Sequence, residues 1–395
     1  MSLPWVPRWL AHSVRHKLLA IALLPLLVVL PLLVVAVVAW GNETYDRLLI
    51  TKVRSDLAVA RGYFDQVLAE VGGGTEAMAN SHALYRAMAS GDPSRIGLLL
   101  ERQREEIRLD FLVLERNNPA GTRAREGRGA RAARLRVMPA DEFARLAPHL
   151  AQQVAIPVLP TRNAAPSERA VEDRALVIVA TAPVLDDSGR PAGVLVGGVL
   201  LNQNTAFIDH INHIVYPSGS LPFGSQGTAT LFLDDVRVTT NVRLFQDRRA
   251  IGTRVSKAVS DAVLQQGRTW LDRAFVVSDW YVSAYEPLVD ARGARIGMLY
   301  VGFLEKPFRN VLWLMLAAIG AIFLAVMALA AVVSLRLARG IFKPVEQMTR
   351  TMEKVEAGDT AARVGTVGSQ DEVGTLASHL DHLLDVIDEK TRSLQ

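Results

Sequence analysis

The 395-residue chain contains no cysteine. That excludes disulfides, thiolate metal sites and cysteine nucleophiles, and it leaves the compartment open. Catalytic signatures are missing too. There is no G-x-x-x-x-G-K phosphate loop, no H-E-x-x-H and no G-x-S-x-G. His379 and His382 lack the H-E/D-x-x-x-P setting of a phosphorylatable histidine. The net charge of +4 is modest and the arginines stand in mixed-charge segments, which argues against a nucleic-acid partner. The composition thus implies neither an enzyme nor a cofactor.

What the chain does have is two long uncharged runs, Leu18 to Trp40 and Val311 to Leu335. Each is long enough to span a bilayer. Arg8, Arg15 and Lys17 precede the first, and no acidic residue occurs before Glu43. Arg336, Arg339 and Lys343 follow the second. The positive-inside rule places both basic flanks in the cytoplasm, with 41–310 outside. Trp40 and Trp313 mark the outer interface. The expected organisation is a cytoplasmic start over 1–17, spans at 18–40 and 311–335, an external domain at 41–310 and a cytoplasmic segment from 336. This topology fits the inner membrane of a Gram-negative bacterium.

After the second run, Val345, Met348, Met352 and Val355 recur at heptad spacing. Val373, Leu376, Leu380, Leu383 and Ile387 do the same. Two such helices cannot close a core alone, so the spacing predicts a homodimer forming a parallel four-helix bundle. Gly358 and Asp359 end the first helix, and Asp371 and Glu372 open the second, where negative charge suits the helix dipole. The segment 336–390 resembles a HAMP domain. Pro344 matches that family's early proline, and Asp371-Glu372-Val373-Gly374-Thr375-Leu376 its D-E-x-G-x-L signature. The resemblance implies a signal relay carried by Pro344, Met348, Met352, Glu372, Leu376, Leu380 and Leu383. Residues 391–395 look like the start of a linker to an output domain.

The external domain begins with a helical stripe over 43–71, which Gly72-Gly73-Gly74 is expected to break. A first module, 76–216, contains helices, a strand at Asp110–Glu115, an arginine-rich loop from Asn117 to Arg134, a helix at Pro139–Val154 and two apolar strands, Ala175–Leu185 and Pro191–Leu201. A second module, 223–305, contains strands at Gly227–Leu233 and Val236–Val242, a helix at Val255–Gln266, and strands at Thr269–Val277, Trp280–Leu288 and Arg295–Phe303. Ala182-Pro183-Val184-Leu185-Asp186 echoes Glu286-Pro287-Leu288-Val289-Asp290, which points to a duplicated α/β unit. The fold class is thus α/β, or α+β, between two spans, followed by an all-α bundle. The tandem arrangement resembles the double Cache domain, a pair of PAS-like modules in bacterial extracytoplasmic sensors. The likeness is strongest over Thr230 to Val238, Ala250 to Ser256 and Asp279-Trp280-Tyr281. It implies a receptor for a periplasmic small molecule. The output would be a histidine kinase acting on a response regulator, a chemoreceptor stalk, a cyclase or a separate protein. A membrane-anchored scaffold for a protein partner is the competing reading.

Two sites are candidates. Asp209, His210 and His213 have a workable metal spacing on one helix, though a solvated face explains them equally well. The stronger candidate is a pocket for an anionic metabolite in the second module. Arg237 and Arg273 would supply charge, Tyr281 and Tyr285 aromatic walls, and Thr239, Asn241 and Ser283 hydrogen bonds. Strand alternation puts Tyr281, Ser283 and Tyr285 on one face. Arg273 is expected to reach that face, and Trp280, Val282 and Ala284 to pack on the long helix.

Overall fold

The computed structural model describes residues 14–116, 133–186, 189–222, 225–244, 248–366 and 371–393. The chain divides into two compact units, 44–311 and the two ends taken together.

In the first unit the dominant element is α1, Val14–Ala79. It does not break at Gly72-Gly73-Gly74, although each glycine weakens a helix by about 1 kcal/mol relative to alanine. Packing explains why it survives. Val67, Val71, Met78 and Ala79 are buried on both sides of the triplet. A Cβ on Gly74 would already touch Ile107 at 3.5 Å. The next helices are α2, His82–Ala89, and α3, Pro93–Glu106. The side chains of Ser81 and Asp92 cap them, and Pro93 sits at the start of α3.

Two antiparallel sheets lie in this unit. The upstream sheet has the order β1 (Phe111–Glu115), β6 (Pro191–Leu200), β5 (Ala175–Leu185), β2 (Arg134–Met138). β2 was hidden at the end of the arginine-rich segment, and residues 117–132 of that segment lie outside the described ones. Pro148 divides the expected 139–154 helix into α4 (Ala140–Leu146), a short 3-10 turn and α5 (Ala151–Val154). A two-stranded ribbon, β3 (Ile156–Pro157) with β4 (Val171–Glu172), follows. Next comes α6, Thr205–Val215, N-capped by Asn204.

The downstream sheet has the order β8 (Val236–Thr240), β7 (Gly227–Leu233), β11 (Arg295–Leu304), β10 (Asp279–Val289), β9 (Trp270–Val276). A short helix α7, Lys257–Ser260, continues as a π turn to Gln265. The central order β7-β11-β10-β9 repeats β1-β6-β5-β2. Both hairpins carry a bulge at the same place, Val184/Leu185 and Leu288/Val289. Both turns close alike: Asp186 N–H donates to Arg190 O at 2.8 Å, and Asp290 N–H to Ala294 O at 2.9 Å. Gly189 and Gly293 take positive φ in these turns, +72° and +79°.

One face of the downstream sheet packs into a core shared with α1 and α6 through Leu231, Leu233, Val282, Ala284, Leu299 and Val301. Trp280, expected there, is 54% exposed. The far face has its own cluster, including Phe232, Val259, Val263, Val276, Tyr285, Met298 and Tyr300.

In the other unit, α8 runs over Glu305–Glu356 and α9 over Glu372–Ser393. α8 is long and apolar enough to cross a membrane, by length and composition. Pro344 lies inside it without ending it. Gly358, at φ +101°, follows the helix end. Asp371 caps α9 by accepting from the N–H of Val373 and Gly374. Asp381 accepts from the N–H of Val364 and Gly365 at 2.7 and 3.0 Å, and Arg363 donates to Asp385 at 2.8 Å. The connector is thereby tied to α9 by hydrogen bonds. Residues 367–370 of the connector lie outside the described ones.

Glycine substitutions separate the two uses of this residue. Gly293→Ala forces a Cβ into a left-handed turn and should lower stability by about 1–2 kcal/mol. Gly97→Ala, in α3 with nothing near a new Cβ, should raise it by up to about 1 kcal/mol. Denaturant titration of the detergent-solubilised chain reads both.

Candidate ligand site

The far face of the downstream sheet gathers polar groups from four strands. Tyr285 on β10 stands directly opposite Tyr300 on β11, with ring centroids 4.6 Å apart. Both phenols are buried. Tyr300 Oη lies 3.0 Å from Thr228 Oγ1, on β7. Ser283, also buried, donates its hydroxyl to Tyr281 O at 3.3 Å. Thr230 and Thr240 share a hydrogen bond of 2.6 Å between hydroxyls. Burial pushes the Tyr281, Tyr285 and Tyr300 hydroxyls above their ordinary pKa, so all three are neutral donors at physiological pH.

Arg237, on β8, is the charged member. It is 2% exposed. Its guanidinium lies 5.0 Å from the Phe232 ring centre, and Nη1 donates to Thr253 Oγ1. Nε meets no hydrogen-bond partner among the described residues, and no ion pair to Arg237 occurs among them. The ionisable groups acting on it are the phenols of Tyr285, Tyr300 and Tyr281. Burial pulls its pKa below the usual arginine range. A charge held in a low-dielectric interior without a counter-ion costs several kcal/mol. The arrangement can take an anion: a carboxylate at Nε would be charge-assisted and bordered by phenol and serine hydroxyls.

Tyr281, Ser283, Tyr285 and Arg237 therefore meet on one face. Arg273 does not join them. It pairs with Val282, so its side chain shares the opposite face, and it donates to Asp46 on α1 and Glu305 on α8, both at 2.7 Å. These bonds, first that to Asp46, hold its pKa above the usual value. Thr239, opposite Leu231, faces the α1 side and donates to Asn204 O at 3.0 Å. Asn241 spends its side chain on Ala229 N–H and Gly227 O. Both are structural here: Thr239 ties β8 to the N-cap of α6, and Asn241 bonds backbone groups at the start of β7. Tyr300, Thr228 and Thr253 were missed. Tyr300 sits in an apolar run, and counting back from the Asp290 turn sets Leu299 opposite Tyr285; only the bulge at Leu288/Val289 shifts the register by one and brings Tyr300 there.

The metal candidate is dispersed. Asp209 is engaged at both oxygens by Arg249, at 2.7 Å each, and His210 packs 4.9 Å from the Tyr63 ring. No group of three or more metal-ligating side chains occurs among the described residues.

In the other unit, the heptad positions divide in two. Met348 and Thr351 on α8, with Ala377 and Leu384 on α9, are buried within the chain. Val345, Met352, Leu376, Leu383 and Ile387 are 43–59% exposed. Ala377 and Leu384 were not among the expected relay positions; of those that were, Met352, Leu376 and Leu383 are exposed and Met348 is buried. Leu380 is half-buried and Glu372 exposed.

Residues 199–313 match a family model described as "Single cache domain 3", and 336–389 match the HAMP domain. The chain carries a Cache module and a HAMP domain. The Cache match takes in the whole downstream sheet and the arginine site. The upstream sheet lies largely before it. No curated protein matches the chain. Among solved structures, the periplasmic domain of Vibrio cholerae LuxQ is 15% identical, with TM-score 0.38, over 64% of this chain and 98% of that one. The ligand-binding domain of the amino acid chemoreceptor PctB of Pseudomonas aeruginosa PAO1, solved with L-Arg, is 13% identical, with TM-score 0.31, over 67% and 97%. That of the Campylobacter jejuni chemoreceptor Tlp3, solved with 4-methylisoleucine, is 10% identical, with TM-score 0.34, over 66% and 90%. Likenesses this loose transfer neither ligand nor mechanism.

An uncompensated buried charge makes a direct stability prediction. Arg237→Met keeps the side-chain length and removes the charge. In ligand-free buffer it should raise stability by about 1–3 kcal/mol, read by denaturant titration of the purified chain.

Proposed function

We propose that the chain is the input and relay part of a homodimeric inner-membrane receptor. Its Cache module binds a small periplasmic anion at Arg237, and its HAMP domain passes the change to a cytoplasmic output, a histidine kinase acting on a response regulator. The observation that carries the ligand assignment is the orphaned Nε of a fully buried arginine. Tyr281, Ser283, Tyr285 and Tyr300 would orient the bound molecule.

Membrane anchoring is supported by the exposed apolar residues of both runs. Val28, Leu32, Val35 and Trp40 on α1, with Trp313, Leu324 and Leu329 on α8, are large apolar side chains left exposed. The relay out of the Cache module would begin at Arg273, whose single guanidinium ties β9 to α1 and to the first residue of α8. An anion that repositions β10 moves β9 with it and loads that clamp. The two helices it holds are those expected to cross the membrane. The exposed seam of Val345, Met352, Leu376 and Leu383 supports a parallel partner in the HAMP bundle.

A thermal-shift screen of the detergent-solubilised chain tests the ligand assignment. Carboxylates should stabilise the wild type and leave Arg237→Met unmoved. Stabilisation by neutral compounds alone, or only by a co-purified protein, would refute it and favour the scaffold reading. For the dimer, a cysteine at Met352 or Leu383 in this cysteine-free chain should crosslink between subunits far faster than one at Arg350. Equal rates would refute the bundle register.

A further inference from the structure

The segment between β3 and β4 belongs in sequence to the upstream module, yet it grips the downstream one. We propose that this strap, 157–170, is the gate of the Arg237 site and couples its opening to the upstream module. The proposal rests on the reading of the Arg237 face as the ligand site.

Three consecutive strap residues hold three different elements of the downstream module. Thr161 Oγ1 accepts from Arg254 N–H at 2.9 Å, on the loop after β8. Arg162 places its guanidinium 5.6 Å from the Phe275 ring centre, on β9. Asn163 O accepts from Lys257 N–H at 2.7 Å, at the start of α7. Just upstream, Leu159 N–H donates to Gly252 O at 2.8 Å. The strap backbone sits so close that a Cβ on Gly252 would fall 2.1 Å from Pro157 O, and Gly252 itself has φ +83°. Just downstream, Arg174 joins Glu172 to Asp234, at 2.8 and 2.7 Å.

What the strap grips is the support of the arginine. Thr253, between Gly252 and Arg254, supplies the hydroxyl that Arg237 Nη1 donates to. Arg237 N–H in turn donates to Thr253 O, and Gly252 N–H to Arg237 O, both at 2.9 Å. The loop 250–255 is thus clamped between Arg237 on one side and the strap on the other. The strap has no buried side chain from Pro157 to Ala170. It is held by hydrogen bonds and the Arg162–Phe275 contact, the composition of a segment that opens locally without global unfolding. Its two ends are fixed in the upstream module: Asn202 accepts Leu176 N–H there and donates to Val154 O and Arg174 O. A shift of β5 or β6 is therefore delivered to Thr253.

Thr161→Val tests the coupling, because it deletes the Arg254 acceptor and keeps the side-chain shape. Native-state hydrogen exchange of the full chain, with no ligand added, should show amides of 250–257 and of Arg237 exchanging about tenfold faster, as loss of one hydrogen bond implies. Amides of β5, β6 and α9 should be unchanged. Thr161→Ser, which restores the hydroxyl, should exchange as the wild type does. In a Thr253→Val background the Thr161→Val effect on Arg237 should shrink, since the link between strap and guanidinium is already cut. Unchanged exchange at 250–257, or an equal rise throughout the chain, would overturn the gate. Because no ligand enters, a failed carboxylate screen leaves this coupling standing, and a failed exchange experiment leaves the anion site standing.

Discussion

A buried positive charge without a counter-ion is the constraint on which the downstream module turns. Arg237 is enclosed by Phe232, Thr253 and the phenols of Tyr281, Tyr285 and Tyr300. None of these removes the charge; they distribute it over a ring face and hydroxyl dipoles. The cost is of the order of several kcal/mol, large against the about 5–15 kcal/mol by which a domain is stable. In the proposed reading, a bound anion offsets that cost in one state of the module.

The surrounding architecture can report whether that offset is present. β10 carries the tyrosines on one face and, through its pairing with β9, positions Arg273 on the other. Arg273 holds Asp46 and Glu305 together. In the proposed reading the two faces of one sheet separate recognition from output, and the strand pairing connects them. Lys52 adds a second tie on the α1 side. It bonds both oxygens of Asp56 and lies over the rings of Tyr216 and Phe303. In the HAMP domain the same economy appears. Met348, Ala377 and Leu384 close the chain's own helix pair, and the remaining apolar positions of the same heptads are exposed, as the proposed dimer requires.

Much of the fold was legible because strand alternation, proline-bounded turns and capping residues act locally. The strands from Ala175 to Leu200 and from Gly227 to Leu304 follow the apolar pattern to within a few residues. The echo between Pro183 and Pro287 extends to shared bulges. What failed was whatever depends on distant neighbours. The glycine triplet at 72–74 stays helical because residues on either side are buried. β2 lies beside a low-complexity stretch that masks its alternation. In the site, Arg237, Tyr281, Ser283 and Tyr285 converge as side-chain direction implies. Arg273 was misplaced because a two-residue turn, at Val277-Ser278 or one residue further on, sets it opposite Val282 or Ala284, on the face away from the tyrosines. Val277 adopts φ +59°, unusual for a β-branched residue, so nothing in its chemistry announced a turn there. Thr253 was invisible as a partner because the strap and loop that place it have no sequence period.

The most direct measurement is the resonance of the Arg237 Nε–H group in nitrogen-15-labelled protein, assigned by its loss in Arg237→Met. On addition of a carboxylate that stabilises the chain, this resonance should move and its exchange with water should slow, as the orphaned donor gains a charged acceptor. If a stabilising ligand leaves the Arg237 Nε–H signal unmoved while resonances elsewhere shift, the anion does not bind at Arg237 and the central claim is wrong.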